Sequence, residues 1–175
     1  MARIEPISTE ASTPELLQAF QKHVLDYNAR ITNMKATLGH SPLAFEVYMQ
    51  WYPLYVEVEK IVGKRAAYLF AHAISTGSDC PLCSTFFRLI IIEAGEKPEN
   101  LVLSTEEQEL LEFGSAIAQN KGVVSDALFN RSAQRYSTKE VVVLIAFAGQ
   151  MIATNIFNNV IETDIDSYLT PYLKP

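Results

Sequence analysis

Cysteine is scarce in this chain: 175 residues contain two, Cys80 and Cys83, three positions apart. That excludes a secreted scaffold stapled by disulfides but leaves the right number for one reversible dithiol. Histidine is equally sparse, and His23, His40 and His72 fall at no recognisable metal spacing from the cysteines. A zinc site would lack two of its four ligands, so no metal is expected. Positive charge is also short, with 14 Lys and Arg against 20 Asp and Glu and a formal net charge of -6. The basic residues are scattered, which argues against nucleic acid or an anionic membrane surface as partner. Long apolar runs are absent too. Val141 to Gly149 is broken by Gln150, well short of the roughly 20 residues that cross a bilayer, so no membrane span is expected. The N-terminus carries Glu5, Ser8, Thr9 and Glu10 where an export signal needs a basic start and an apolar run; the expected compartment is the cytoplasm.

Alternation of period two is missing as well, which removes the reason to expect a sheet. With 49% hydrophobic and 19% charged residues, the chain can bury a core, and its length suits one domain spanning residues 1–175. Caps and breakers divide it into an all-α single-domain helical bundle of about six to eight helices. The spacing of Leu17, Phe20, Val24, Tyr27, Ile31 and Met34 predicts one long helix from Pro14 toward Gly39. Ser41-Pro42 opens a second that ends before Pro53, and a third is expected from about Leu54 to Thr76. A fourth starts at Cys80-Pro81 and closes on Gly95. Ser104 with Glu107 and Ser137 with Glu140 read as capping boxes for two later helices, with a shorter one after Ser125. The Val141-Val142-Val143 run is read as helix because its apolar residues continue for too many positions. Residues 168–175 read as a connector. Apolar-rich helices at 54–76, 80–94 and 138–162 offer more face than a small monomer needs, which suggests subunit contacts.

Proline disfavours helical geometry in the residue before it, so Cys80 is expected at the N-cap, Pro81 at the first helical position and Cys83 at the third. Unpaired N–H groups and the positive dipole end favour thiolate there. Spacing of three brings the pair within disulfide reach, so one sulfur can attack while the other resolves the product. Asp79 would oppose this by raising the thiol pKa unless its side chain caps the helix. The competing reading is a pair of packed structural cysteines. His72, on the preceding helix, is a candidate proton donor or acceptor. Glu57, Glu59 and Lys60 read equally as charges near that groove or as a solvated face. An apolar pocket would be lined by Phe86, Phe87 and Trp51.

Four blocks carry a resemblance. They are Thr37-Leu38-Gly39-His40-Ser41-Pro42, the Cys80 to Cys83 motif with Arg88 to Gly95 behind it, Leu103-Ser104-Thr105-Glu106-Glu107, and Ala153 to Glu162 with its paired Asn158 and Asn159. Across about residues 15–165 the chain resembles the carboxymuconolactone decarboxylase superfamily, in its alkylhydroperoxidase D-like branch with a Cys-X-X-Cys. The resemblance implies an alkylhydroperoxidase D-like fold, a homotrimer or homohexamer, and reduction of hydroperoxides or exchange of disulfides. It makes Cys83 the attacking and Cys80 the resolving cysteine, with no bound cofactor and an external thiol or dithiol reductant. The branch's histidine four residues after the second cysteine is Phe87 here, its occasional histidine just before that cysteine is Leu82, and its glutamate is Tyr68. The usual proton relay is therefore absent, leaving His72 or Tyr68 as candidates. Two alternatives stand beside the peroxidase reading: a thiol-disulfide exchange protein with little peroxidase activity, and a non-catalytic oligomeric ligand-binding protein.

Overall fold

Side-chain caps start most of the helices. In the computed structural model, which describes residues 1–174, α1 (Pro14–Tyr27) begins where Thr13 accepts the Leu16 N–H and Pro14 occupies the first turn. The single long helix expected through Met34 does not form. Asn28 adopts the left-handed conformation, φ 47°, and Thr32 caps a separate α2 (Asn33–Leu38). Asparagine tolerates that conformation through local hydrogen bonding, and a threonine cap four residues on restarts the helix.

Ser41 caps α3 (Pro42–Met49), and α4 (Trp51–Val62) follows after Gln50. Pro53 lies inside the first turn of α4, where a missing N–H costs nothing. The helix expected from Leu54 to Thr76 is divided at Gly63, whose φ of 83° turns the chain from α4 into α5 (Lys64–Gly77). Beyond it come α6 (Pro81–Glu93), α7 (Thr105–Gln119), α8 (Asp126–Arg135) and α9 (Thr138–Ile161). Both expected capping boxes form, Ser104 with Glu107 and Ser137 with Glu140. The two divisions bring the α-helices to nine among the described residues, against six to eight expected. Where a plain connector was expected, Ser167–Tyr172 form a 3₁₀ turn; Pro175 lies outside the described residues. No strand occurs among the described residues, and the chain is all-α.

The central element is α5, which packs against α4, α6, α7 and α9 and buries Phe70 and Ile74 completely. Gly114 of α7 permits the close α5 contact, because a Cβ there would stand 2.6 Å from the Phe70 ring. The last helix runs 24 residues with a mean hydropathy of 1.7 across its most apolar window, long and apolar enough to cross a bilayer, contrary to the reading of its broken apolar run. Yet it is built as a core helix. Leu144, Phe147 and Ala148 are wholly buried, and Asn155 and Asn158 are buried further along. Its opposite side leaves Val142, Ile145, Ile156 and Val160 exposed.

Leu38, Phe45 and Met49 form a smaller core that joins α1 to α3 and reaches α9 through Phe157. Buried beside it is His23, its ring edge-on to Phe45 and Tyr52 and both ring nitrogens without partners. Burial and the Lys35 charge hold its pKa down to about 4. Below its ordinary value near 6.5 the unfolded chain takes up a proton that the folded chain refuses. Stability is therefore full above that value and falls as pH drops toward 4. His23→Phe is expected to recover about 2–3 kcal/mol of that acid loss. Urea unfolding of both proteins at pH 7.5 and 5 checks this, and an unchanged pH dependence would refute it.

Candidate active site

The turn between α5 and α6 sets the dithiol. At the end of α5 the N–H groups of Ser78, Asp79 and Cys80 donate to the carbonyls of Ile74, Thr76 and Ser75 at 2.9, 3.1 and 3.1 Å. Asp79 takes the left-handed conformation, φ 49°, and is exposed. From α9 the Asn159 amide donates to the carbonyls of Ser78 and Asp79, both at 3.2 Å, and so clasps the turn. Cys80 is the N-cap in extended geometry and Pro81 opens the helix, as the proline rule expects.

Both cysteines are free thiols and both are buried. A hydrogen bond from the Cys83 thiol lowers the Cys80 pKa, helped by the backbone N–H groups of Cys83 and Leu82 at the helix start. Cys83 is pushed well up, first by donating to Cys80 and then by burial and the neighbouring charge. The first deprotonation thus belongs to the pair rather than to either sulfur alone. Asn158 of α9 donates to Cys83 Sγ at 3.2 Å, while its own carbonyl oxygen accepts from Thr163 Oγ1 at 2.9 Å.

Only Cys83 of the two reaches a cavity of about 100 Å³ that opens between α2, α3, α4, α6, α9 and the 3₁₀ turn. Phe86, Phe87 and Trp51 line it, as the sequence suggested. Trp51 stacks on Tyr55 with ring centres 4.7 Å apart, and its indole N–H points to the Met151 sulfur at 2.6 Å. Leu82 and Phe87, standing where the resemblance puts histidines, make this wall apolar.

The remote end of the cavity is polar. Lys35 is buried, and its ammonium donates to the Arg30 carbonyl at 2.7 Å and to Tyr52 Oη at 2.8 Å. Burial lowers Lys35 to about 8 against the opposing pull of Asp166. Asp166 accepts the Asn33 N–H through Oδ1 at 2.9 Å, but Oδ2 is buried without a partner. Burial raises its pKa. Tyr168 and Leu169 of the 3₁₀ turn close this end, with Arg30 over the Tyr168 ring at 4.7 Å.

Other sequence candidates sit elsewhere. Neither His72 nor Tyr68 lines the cavity. The charges acting on His72 are Arg88 and Glu99, and burial first, then Arg88, holds it down to about 4. Tyr68 donates to Glu96 Oε1 at 2.8 Å and is raised to about 12 by burial and that bond. Glu57 pairs with Lys60 at 2.6 Å on a solvated face. Sequence reasoning missed Lys35, Asp166, Tyr168 and the amide role of Asn158. The Asn158-Asn159 pair was visible as a motif, but its target depends on how α9 crosses the α5–α6 turn.

The whole chain has fold counterparts. The debrominase Bmp8 in its apo form, 17% identical, superposes with a TM-score of 0.71 over 97% of this chain and 95% of its own. A cysteine-to-alanine variant of Bmp8 in complex with 2,3,4-tribromopyrrole, 15% identical, gives 0.74 over 97% and 94%. The likeness establishes the fold. No protein-family model and no curated relative matches the chain.

Proposed function

We propose that this protein is a dithiol-dependent oxidoreductase that reduces small organic hydroperoxides, as in the alkylhydroperoxidase D-like branch it resembles. The observation that carries the reading is the division of labour between the sulfurs: Cys83 borders an aromatic-walled cavity, while Cys80 sits behind it on the helix N–H groups. Transfer of a proton from Cys83 to Cys80 along their shared hydrogen bond produces the Cys83 thiolate. It attacks the distal peroxide oxygen and breaks the O–O bond, forming a Cys83 sulfenic acid. Cys80 then returns the proton to the leaving alkoxide. The Cys80 thiolate displaces hydroxide from the sulfenic acid to form the disulfide, and two electrons from an external thiol or dithiol restore the pair. The proton is thus carried by the dithiol itself, which suits a wall where Phe87 and Leu82 leave no histidine. The exposed apolar residues Val142, Ile145, Ile156 and Val160 support assembly as a homo-oligomer; light scattering giving a monomer mass would overturn that part.

A second reading is reductive dehalogenation, favoured by the whole-chain fold likeness to a debrominase. In it the dithiol is oxidised, an aromatic carbon–bromine bond becomes carbon–hydrogen, and bromide leaves. One titration separates the readings: reduced protein is mixed with cumene hydroperoxide, with 2,3,4-tribromopyrrole or with a small aromatic disulfide, and thiols and bromide are counted. Loss of two thiols per hydroperoxide is the expected result. Bromide release without peroxide consumption would replace it with dehalogenation, and exchange alone would leave a thiol-disulfide exchange protein. Silence in all three would leave a ligand-binding protein.

A further inference from the structure

The far end of the cavity is unlike its walls. Two of the three Lys35 ammonium protons are engaged, by the Arg30 carbonyl and Tyr52 Oη. One donor remains. Asp166 has the complementary surplus, since Oδ1 is held by the Asn33 N–H and Oδ2 is buried with nothing to accept from. Buried carboxylate oxygens ordinarily have donors, and an orphan one is costly unless something supplies a proton. Lys35 spends its contacts on the Arg30 carbonyl and Tyr52, and Asp166 on the Asn33 N–H, although both line the cavity. A group that accepts from one and donates to the other would complete both, and a hydroxyl does so.

The rest of the cavity restricts what carries that hydroxyl. Its volume, about 100 Å³, suits a single ring more than a chain or a fused system, and Trp51, Phe86 and Phe87 offer flat apolar faces. We propose that the Lys35–Asp166 end of the cavity binds the hydroxyl of a small phenol, holding its ring against Trp51 and presenting its far side to Cys83. The assignment deepens the oxidoreductase reading by naming the substrate class: a phenol carrying the reducible group away from its hydroxyl. The break between α1 and α2 and the C-terminal 3₁₀ turn exist, in this view, to deliver Lys35 and Asp166.

The test is a binding measurement on the full-length Cys80→Ser/Cys83→Ser protein, which cannot turn over, so it is independent of whether the dithiol reduces anything. Trp51 is the single tryptophan, and its fluorescence reports ligand in the cavity. Phenol is expected to bind at least about tenfold more tightly than toluene, which has the same shape but no hydroxyl. Asp166→Asn keeps the acceptor for the Asn33 N–H and turns Oδ2 into an amide donor. It is expected to weaken phenol and to strengthen benzaldehyde, which only accepts. Phenol and toluene binding within about threefold of each other would overturn the proposal, whatever the variant does. Preference for phenol that Asp166→Asn leaves unmoved would overturn the assignment of its hydroxyl to Asp166.

Discussion

Cys83→Ser is expected to bring hydroperoxide-dependent oxidation down to background, a loss of at least about 10³-fold, because the proposed nucleophile is gone while the cavity remains. Cys80→Ser is expected to behave differently. It should consume at most one equivalent of hydroperoxide, more slowly than the native protein because the Cys80 proton acceptor is gone, and stop with Cys83 as sulfenic acid, because serine cannot resolve it. The contrast follows from access, since Cys83 lines the cavity and Cys80 does not. Charge alone would choose the other sulfur, for Cys80 is the one held below the ordinary thiol range by the Cys83 hydrogen bond and the helix N–H groups. If Cys80→Ser is dead and Cys83→Ser still consumes peroxide, charge outranks access and the proposed order is reversed. The pH dependence has a definite sign. A depressed thiol pKa means the charge of the pair is present above that value and is titrated away as pH falls through it. Activity of the native protein should therefore be lost as pH falls through that depressed value, and the acid limb should lie below the ordinary thiol range.

Asn158→Ala is expected to lower turnover by about 10- to 100-fold, the size of a lost hydrogen bond to a charged group. Its amide reaches Cys83 Sγ at 3.2 Å and favours the thiolate of both cysteines. Removing it should move the acid limb of the pH–rate profile upward, which a mere packing defect would not do. Thr163→Val serves as the comparison, because it deprives Asn158 of the Oγ1 donor at 2.9 Å without touching sulfur. A pH profile unmoved in Asn158→Ala would confine that residue to packing.

Much of the fold was legible because it rests on chemistry within a few residues. Ser104 with Glu107 and Ser137 with Glu140 each satisfy N–H groups of their own first turn, so the starts of α7 and α9 are local events. Apolar periodicity was less reliable as a guide to continuity. Leu17 through Met34 keep helical spacing across the break at Asn28, and the pattern hid two signals present in the sequence, an asparagine able to turn left-handed and a threonine able to cap. Gly63 was hidden in the same way within the 54–76 stretch.

By itself the sequence determined that the protein is all-α and that its two cysteines meet at a helix start, because proline geometry, caps and three-residue spacing act along the chain. Tertiary structure decided which sulfur faces a cavity, which amide serves it and what stands at the cavity's far end. Lys35, Asp166 and Tyr168 are ordinary residues in sequence. They become a polar site because α2 and the 3₁₀ turn meet at one end of the cavity, where the Lys35 side chain and Asp166 Oδ2 are buried. Their chemistry is a consequence of desolvation, and desolvation is a property of packing between distant segments.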